Sequence, residues 1–304
     1  MWHVRHSALF ALPAILSRLT APQRRALALE TLVPLSNDVS AEVRLGVLEA
    51  LGEVMYTFHQ DSGGPPEELV TLFLGWRGHG GVHPPQGVER EGSPGLKDEE
   101  MTFSVGGPSL SSELDPFHDD PLRALVCAFN YPAVSLTLGS ERWDTLRGVY
   151  SDLATNSDVK VRRTIAASLG ELARIVGPNN ARRDLIDVWF DALGSEDETV
   201  RMRAVESVEV FVGALRGIDD DGIVATGRVI EGLSNAWDQD VLKGWREREG
   251  AAKAILGLAR SVGLEWPGLV LGLLKRALSD AVANIREVAI ASVGLVAILL
   301  SFLR

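Results

Sequence analysis

The chain has 304 residues, of which 46% are hydrophobic and 23% are charged, so it can bury a sizeable core. Its formal net charge of −11 argues against a nucleic-acid or acidic-lipid surface, because both need clustered lysine and arginine, and it favours a basic partner. The single cysteine, Cys127, excludes an internal disulfide and a cysteine zinc site. We therefore expect a reducing compartment, the cytoplasm, the nucleus or both.

A short pattern recurs along the chain: an apolar residue, then arginine, then small or apolar residues three, four and seven positions later. This spacing places the apolar residues on one stripe of a helix. The arginines are separated by 39, 79, 39, 39, 47 and 38 residues, and they are Arg5, Arg44, Arg123, Arg162, Arg201, Arg248 and Arg286. The copies at Arg123 and Arg248 are weaker than the other five. This period is typical of HEAT helix pairs, so the sequence predicts an all-α HEAT-repeat solenoid of the armadillo-like type, with about six to seven pairs.

The second helix of each predicted pair is a periodic segment, and several of them begin just after Pro or Gly. In chain order these segments are 22–34, 65–76, 141–154, 179–193, 220–236 and 266–278. The stretch 77–118 is rich in Gly and Pro, which predicts a flexible insertion loop. We therefore expect repeats over 1–76, the loop over 77–118 and repeats again over 119–304.

The end of the sequence is a nearly continuous apolar run, 288–303. A helix that crosses a bilayer needs ~20 such residues, and this run is shorter. We expect a solenoid helix there, and no membrane partner.

Acidic residues stand just before several copies of the pattern. Each can accept a hydrogen bond from a backbone N–H at the start of the following helix. In HEAT proteins such residues also meet an arginine of an adjacent repeat. We therefore expect the seven arginines to form a structural ladder with acidic residues, among them Asp158, Asp197 and Asp280.

Glycine recurs eight residues after the arginine, at Gly52, Gly170 and Gly294. Glycine inside a helix costs about 1 kcal/mol relative to alanine. Its recurrence at one phase of the repeat predicts a close crossing of helices at these positions.

Motifs that carry catalysis are absent from the sequence: there is no nucleophile elbow, phosphate-binding loop or zinc-protease motif. His3 and His6 lie one helical turn apart, but no third metal ligand has a matching spacing. We expect no enzyme activity, no cofactor and no metal. An enzyme built on a solenoid is the competing hypothesis, and a bound metal would reveal it.

A more specific pattern begins near Cys127. It reads Asn130-Tyr131-Pro132-Ala133-Val134, then Leu136-Thr137-Leu138-Gly139, and is followed by Trp143 and by Lys160-Val161-Arg162-Arg163-Thr164. This segment resembles the central part of the regulatory subunit 1 family of protein phosphatase 4. The rest of the chain resembles that family at the level of the repeat only.

The resemblance implies a non-catalytic regulatory or scaffold subunit. Such a subunit holds the catalytic subunit of a phosphatase of the phosphatase 4 type, a metal-dependent serine/threonine enzyme, and directs it to phosphoprotein substrates. Members of the family are longer than this chain and have further repeats. The alternative hypothesis is a general HEAT adaptor with another partner, as in a phosphatase 2A scaffold or a transport protein.

The scaffold subunit of phosphatase 2A grips its partners along one ridge of A–B turns, the turns between the first and second helix of each pair. By analogy of fold alone, the corresponding turns are candidate partner-binding sites here. Three tryptophans on second helices, which we expect to line the concave face, are further candidates, although core packing is the favoured interpretation. The turn candidates are Asn179, Asn180, Arg182, Asp219, Asp221 and Trp266, and the second-helix candidates are Trp143, Trp189 and Trp237.

Overall fold

The computed structural model describes residues 1–75, 120–217, 219–262 and 265–301. Within these ranges the regular structure is helical and comprises fourteen α-helices. In chain order they are α1 (Trp2–Leu16), α2 (Ala21–Leu35), α3 (Ala41–Tyr56), α4 (Glu67–Leu74), α5 (Arg123–Leu138), α6 (Trp143–Ala154), α7 (Val159–Val176), α8 (Pro178–Asp184), α9 (Ile186–Leu193), α10 (Glu198–Leu215), α11 (Asp220–Asp238), α12 (Trp245–Val262), α13 (Pro267–Leu278) and α14 (Ala283–Ser301). The predicted loop over 77–118 lies outside the described residues.

The helices form two layers. The first helices pack in succession, in the order α1, α3, α5, α7, α10, α12 and α14. The second helices form the other layer, in which α2 packs on α4, α9 on α11, and α11 on α13. Each element therefore contacts its neighbours in the stack, which is the arrangement of an α-solenoid. The predicted fold class is confirmed, and the described residues hold six pairs followed by α14.

The apolar pattern faces the core. In α3 its members Val43, Val47, Leu48 and Leu51 are all buried. Burial of this stripe between neighbouring helices supplies the main stabilising free energy of the stack. The helix starts are fixed locally, as where the N-cap Asp197 accepts hydrogen bonds from the backbone N–H groups of two following residues.

The second helices follow the predicted segments closely, with one exception. The segment 179–193 forms two helices, α8 and α9, which are separated at the buried residue Leu185. Backbone hydrogen bonds continue across the separation, from the Leu185 N–H to Ala181 O at 2.9 Å and from the Trp189 N–H to Leu185 O at 3.0 Å. The interruption is therefore a local irregularity, and α8 and α9 together act as one second helix.

Close helix crossings occur at two of the three predicted glycines. A Cβ atom at Gly52 would lie 2.8 Å from Asn130 Oδ1 on α5, and one at Gly170 would lie 2.9 Å from Val210 Cβ on α10. At Gly294 the prediction is wrong, because among the described residues a Cβ atom there would meet nothing within 4 Å.

The final helix packs through one side. Ile285, Ala289 and Val296 of α14 are buried, whereas Ile290 and Leu295 are exposed. None of the described helices combines the length and the apolar character that crossing a bilayer would require.

Candidate functional site

Four of the ladder arginines bind an acidic residue of the next repeat within the described ranges. The N–O distances are 2.7 Å for Arg5 with Asp38, 2.7 Å for Arg44 with Asp120, 2.7 Å for Arg201 with Glu247, and 2.8 Å for Arg248 with Asp280. Each pair joins the start of one first helix to the start of the next, or to the turn before it. The pairs therefore fix the register of one repeat on the next.

Glu247 is a member of the ladder that sequence reasoning missed. Its carboxylate is fully buried and accepts hydrogen bonds from Arg201 Nε at 2.7 Å and from the Gly244 N–H at 2.6 Å. A sequence signal did exist, because Glu247 occupies the position before Arg248 where the other copies of the pattern have an apolar residue. A charged residue at a core position needs a charged partner.

Arg123 donates to the carbonyls of Leu72 and Phe73 on α4, at 3.0 and 2.8 Å. Two other ladder arginines differ from the expectation within the described ranges. Arg162 and Arg286 donate to carbonyls five and six residues upstream, in the turns that precede their own helices. These contacts close a turn within a repeat.

Asp158 and Asp197 make no ion pair with an arginine within the described ranges, contrary to the predicted ladder. Their carboxylates instead cap the helices that follow: Asp158 accepts from the Lys160 N–H at 2.8 Å, and Asp197 from the Thr199 N–H at 2.8 Å. Capping does not by itself prevent pairing, because Asp280 accepts from the Val282 N–H at 2.8 Å and also binds Arg248.

The candidate A–B turns lie at the starts of α8, α11 and α13. Arg182 of α8 forms an ion pair with Asp219, the N-cap of α11, and also donates to Asn179 Oδ1 at 2.5 Å. Asn180 donates to the carbonyls of Val176 and Ser140, at 3.0 and 3.3 Å. Adjacent turns are therefore joined side by side into one polar ridge.

The two remaining candidates on this ridge, Trp266 and Asp221, differ in burial and in contacts. The Trp266 indole N–H donates to Ile223 O at 2.9 Å, and its ring lies against Gly227 of α11. Trp266 is thus half-buried and joins α13 to α11. Asp221, in the first turn of α11, is exposed and free of ion pairs in the described part of the chain, so it is available to a partner.

The electrostatics of the ridge favour ionised carboxylates. The hydrogen bond from Arg182 lowers the pKa of Asp219, and the Gly222 N–H contributes further. At the other edge of the stack, the hydrogen bond from Arg5 lowers the pKa of Asp38 in the same way. Both carboxylates therefore remain charged at neutral pH.

The tryptophans of the second helices are core residues. Trp143 and Trp189 are 1% and 0% exposed, and Trp237 is 7% exposed. Their rings present almost no surface, which agrees with the favoured interpretation of core packing and contradicts their candidacy as partner-binding residues. The Trp189 indole N–H donates to Ala204 O at 2.9 Å, which joins α9 to α10.

The residues that carry the family resemblance also hold helices together. Asn130 donates to Leu48 O at 2.9 Å, across the crossing of α5 with α3 at Gly52. The Tyr131 hydroxyl donates to Leu146 O at 2.5 Å and so joins α5 to α6. This specific part of the sequence pattern therefore has a structural explanation.

An open groove separates α6 from α8 and α9. It has a volume of about 820 Å³, and the Trp143 indole N–H closes its base by donating to Asp184 Oδ2 at 2.7 Å. Burial alone would raise the pKa of Asp184, but hydrogen bonds from Arg183 and Trp143 outweigh it and lower the pKa. No set of three His, Cys, Asp or Glu side chains suited to a metal occurs in the residues that the structure covers.

Comparison with known proteins finds similarity in the middle of the chain. A family model described as the protein phosphatase 4 regulatory subunit 1 middle domain matches residues 127–225. The human serine/threonine-protein phosphatase 4 regulatory subunit 1 is 39% identical over 128 residues, which are 39% of this chain and 13% of the human protein. The rat protein of the same name is 35% identical over 147 residues, which are 45% of this chain and 15% of the rat protein.

Two engineered proteins of known crystal structure resemble the fold distantly, at 14% sequence identity. One has a TM-score of 0.47, with 89% of this chain and 97% of the engineered chain covered. The other has a TM-score of 0.46, with 96% and 64% covered. TM-scores this low do not establish a shared fold, so the fold assignment rests on the helices and their packing. Residues 127–225, about a third of the chain, are therefore similar to the middle domain of protein phosphatase 4 regulatory subunit 1.

Proposed function

We propose that this chain acts as a non-catalytic regulatory and scaffold subunit of a serine/threonine phosphatase of the phosphatase 4 type. The observation that carries the proposal is the similarity of residues 127–225 to the middle domain of a subunit named as regulatory. In this role the chain binds the catalytic subunit and directs it to phosphoprotein substrates in the cytoplasm or nucleus. The metals of the reaction belong to the catalytic subunit.

The fold supports a binding role, because a solenoid presents a long surface built from successive repeats. The net charge of −11 favours a protein partner with a basic surface over nucleic acid or an anionic membrane. We assign partner binding to the ridge of A–B turns, where Asn179, Asp219 and Asp221 are exposed. The ion pair of Arg182 with Asp219 holds the ridge rigid before a partner arrives, which lowers the entropy cost of binding.

The test is capture of purified phosphatase catalytic subunits by this chain, with the subunits of phosphatase 4 and phosphatase 2A offered side by side. We expect selective capture of the phosphatase 4 subunit. Capture of the phosphatase 2A subunit alone would assign the chain to that enzyme, and capture of neither by folded protein would overturn the proposal.

The ridge is tested with Asp221→Lys, which reverses an exposed charge that makes no ion pair among the described residues. Its matched control is Glu53→Lys, which makes the same change at an exposed position on α3, away from the ridge. We expect Asp221→Lys to weaken capture about tenfold or more, because a like charge placed across an interface costs several kcal/mol. Equal capture by the two variants would place the interface elsewhere.

A further inference from the structure

The groove between α6 and α9 interrupts the packing of the second-helix layer. It runs along the whole of α6, from Trp143 to Ala154, and faces α8 and α9 across a volume of about 820 Å³. Gly148 lies on its α6 wall, where a Cβ atom would meet nothing within 4 Å. A groove of this size falls within the range of ~300–1,000 Å³ that is typical of ligand sites.

The charges that line the groove are unbalanced. Its two basic residues are already engaged: Arg183 binds Asp144 at 2.7 Å and Asp184 at 2.8 Å, and Arg147 binds Asp144 at 3.2 Å. Two carboxylates remain, on Asp187 and Asp191. The groove therefore presents a negative surface.

Neither of these carboxylates is tightly held. Asp187 is 80% exposed and has one ion pair, at 3.2 Å, with Arg228, which is itself 59% exposed. Such an exposed pair contributes little free energy, so a ligand can displace it. Asp191 is exposed and has no ion pair in the part of the chain that the structure describes.

An apolar recess adjoins the acidic wall. It has a volume of about 270 Å³, it shares Ala154, Val188 and Asp191 with the groove, and Ile165 and Val200 also line it. Arg162 lines it as well, and its guanidinium is engaged by the carbonyls of Asn156 and Ser157. A basic side chain that reaches Asp187 and Asp191 can therefore lay its aliphatic stem on Val188, while an apolar neighbour enters the recess.

We infer that this groove docks an extended segment of a protein partner, in which an arginine or lysine stands next to an apolar residue. The basic group binds the carboxylates of Asp187 and Asp191, and arginine fits best because its guanidinium can bind a carboxylate through two parallel hydrogen bonds. A phosphorylated segment fits less well, since Asp144 and Asp184 already occupy the two arginines of the groove. Arg183 and Asp184 of the groove directly follow the ridge residue Arg182, but the groove extends from there along α6 and α9. The inference does not depend on the proposed phosphatase partner.

The test measures binding of a fluorescein-labelled peptide, Gly-Ser-Ala-Arg-Leu-Arg-Ala-Ser-Gly, to the purified chain by fluorescence anisotropy. A second peptide has glutamine in place of both arginines, and a third has phosphoserine. We expect the arginine peptide to bind most tightly, with an affinity that falls as salt is added. Equal binding of the glutamine peptide, or tighter binding of the phosphoserine peptide, would overturn the inference.

A steric variant separates the groove from general attraction to an acidic protein. Gly148→Leu places a side chain in the open groove, and Gly272→Leu places one on α13, where a Cβ atom also meets nothing within 4 Å. We expect Gly148→Leu to weaken binding about tenfold or more and Gly272→Leu to leave it unchanged, because only the first occupies the site. Equal affinities of the two variants would refute docking in the groove.

A charge variant tests the two carboxylates against a control variant that has the same net charge. The double variant Asp187→Asn with Asp191→Asn removes both groove carboxylates. Its control, Glu49→Gln with Glu53→Gln, removes the same charge from exposed positions on α3. We expect about a tenfold loss for the first pair only, since charge-assisted hydrogen bonds are the stronger kind. Equal losses in both would mean that the peptide responds to net charge alone, and the inference would fail.

Discussion

At the scale of single residues, the recurring arginine has two kinds of acceptor. Arg44 donates to the carbonyl of Asp38 at 2.8 Å, in the turn before its own helix, and to the carboxylate of Asp120 in the next repeat. The arginine itself could be predicted from its period. Its acidic partner could be predicted only in part. Asp280, which binds Arg248, was named from the sequence, whereas Glu247 was not, because the partner lies 33 residues on for Arg5 but 46 residues on for Arg201.

Glu247→Ala tests the buried member of this ladder. The substitution leaves the Arg201 guanidinium buried without its carboxylate, so we expect a loss of about 3–5 kcal/mol in the free energy of unfolding. The measurement is equilibrium denaturation in urea. Arg228→Ala is the control: it breaks the exposed pair with Asp187 and should cost about 0–1 kcal/mol. Equal losses would contradict the structural role of Glu247.

Alanine substitution of two helical glycines should have opposite effects on stability. At Gly170 the new methyl group would lie 2.9 Å from Val210 Cβ and 3.1 Å from Ser207 O, so we expect overpacking to cost about 1–3 kcal/mol. At Gly294 it meets nothing within 4 Å, so the higher helix propensity of alanine should stabilise the chain by up to about 1 kcal/mol. Thermal unfolding of both variants measures the effects. A stabilising Gly170→Ala would show that α7 and α10 do not approach closely there.

At the scale of helices, the sequence predicted most second helices to within a few residues. Periodicity and the breaks at Pro and Gly define helix ends, which is why 220–236 and 266–278 correspond closely to α11 and α13. The candidate site was harder to predict. Whether a tryptophan on a second helix anchors a partner or fills the core depends on the neighbouring helix, and Trp189 is buried because α10 packs over it.

Carboxylates at the helix starts should make stability depend on acid. Hydrogen bonds lower the pKa values of Asp38, Asp197 and Asp219. A lowered pKa means that the folded state binds the proton less tightly than the unfolded state. The stabilisation is therefore complete well above the ordinary aspartate pKa of about 3.9, and it is lost as pH falls through that value towards the lowered pKa.

We expect the free energy of unfolding to change little between about pH 7 and pH 5 and to fall below that range. Denaturation in urea at a series of pH values measures it. Asp197→Asn is the matched variant, because asparagine caps a helix about as well but does not titrate. Its stability should fall less steeply with acid than that of the parent chain. An unchanged slope would mean that Asp197 does not contribute to the acid sensitivity.

At the scale of the whole molecule, the described helices pack against helices of the same repeat and of the adjacent repeats. Each first helix packs on the preceding and following first helices, and so α7 contacts α5 and α10. The stability of such a chain is approximately a sum over repeats and the interfaces between neighbours. The period of the arginines was enough to predict this architecture. It could not predict the groove beside α6, because a gap between second helices arises from packing that the repeat pattern does not record.

Hydrogen exchange should therefore vary along the stack. We expect the slowest exchange in α7 and α10, which are packed against first helices on both sides, and faster exchange in α1 and α14, which expose apolar side chains such as Phe10 and Ile290. Mass spectrometry of peptides from the exchanged chain measures this.

In Gly170→Ala the loss of protection should be largest in α7 and α10 and should decrease with distance along the stack, because the perturbed interface belongs to those two helices. A uniform loss over all helices would instead indicate that the chain unfolds as one cooperative unit.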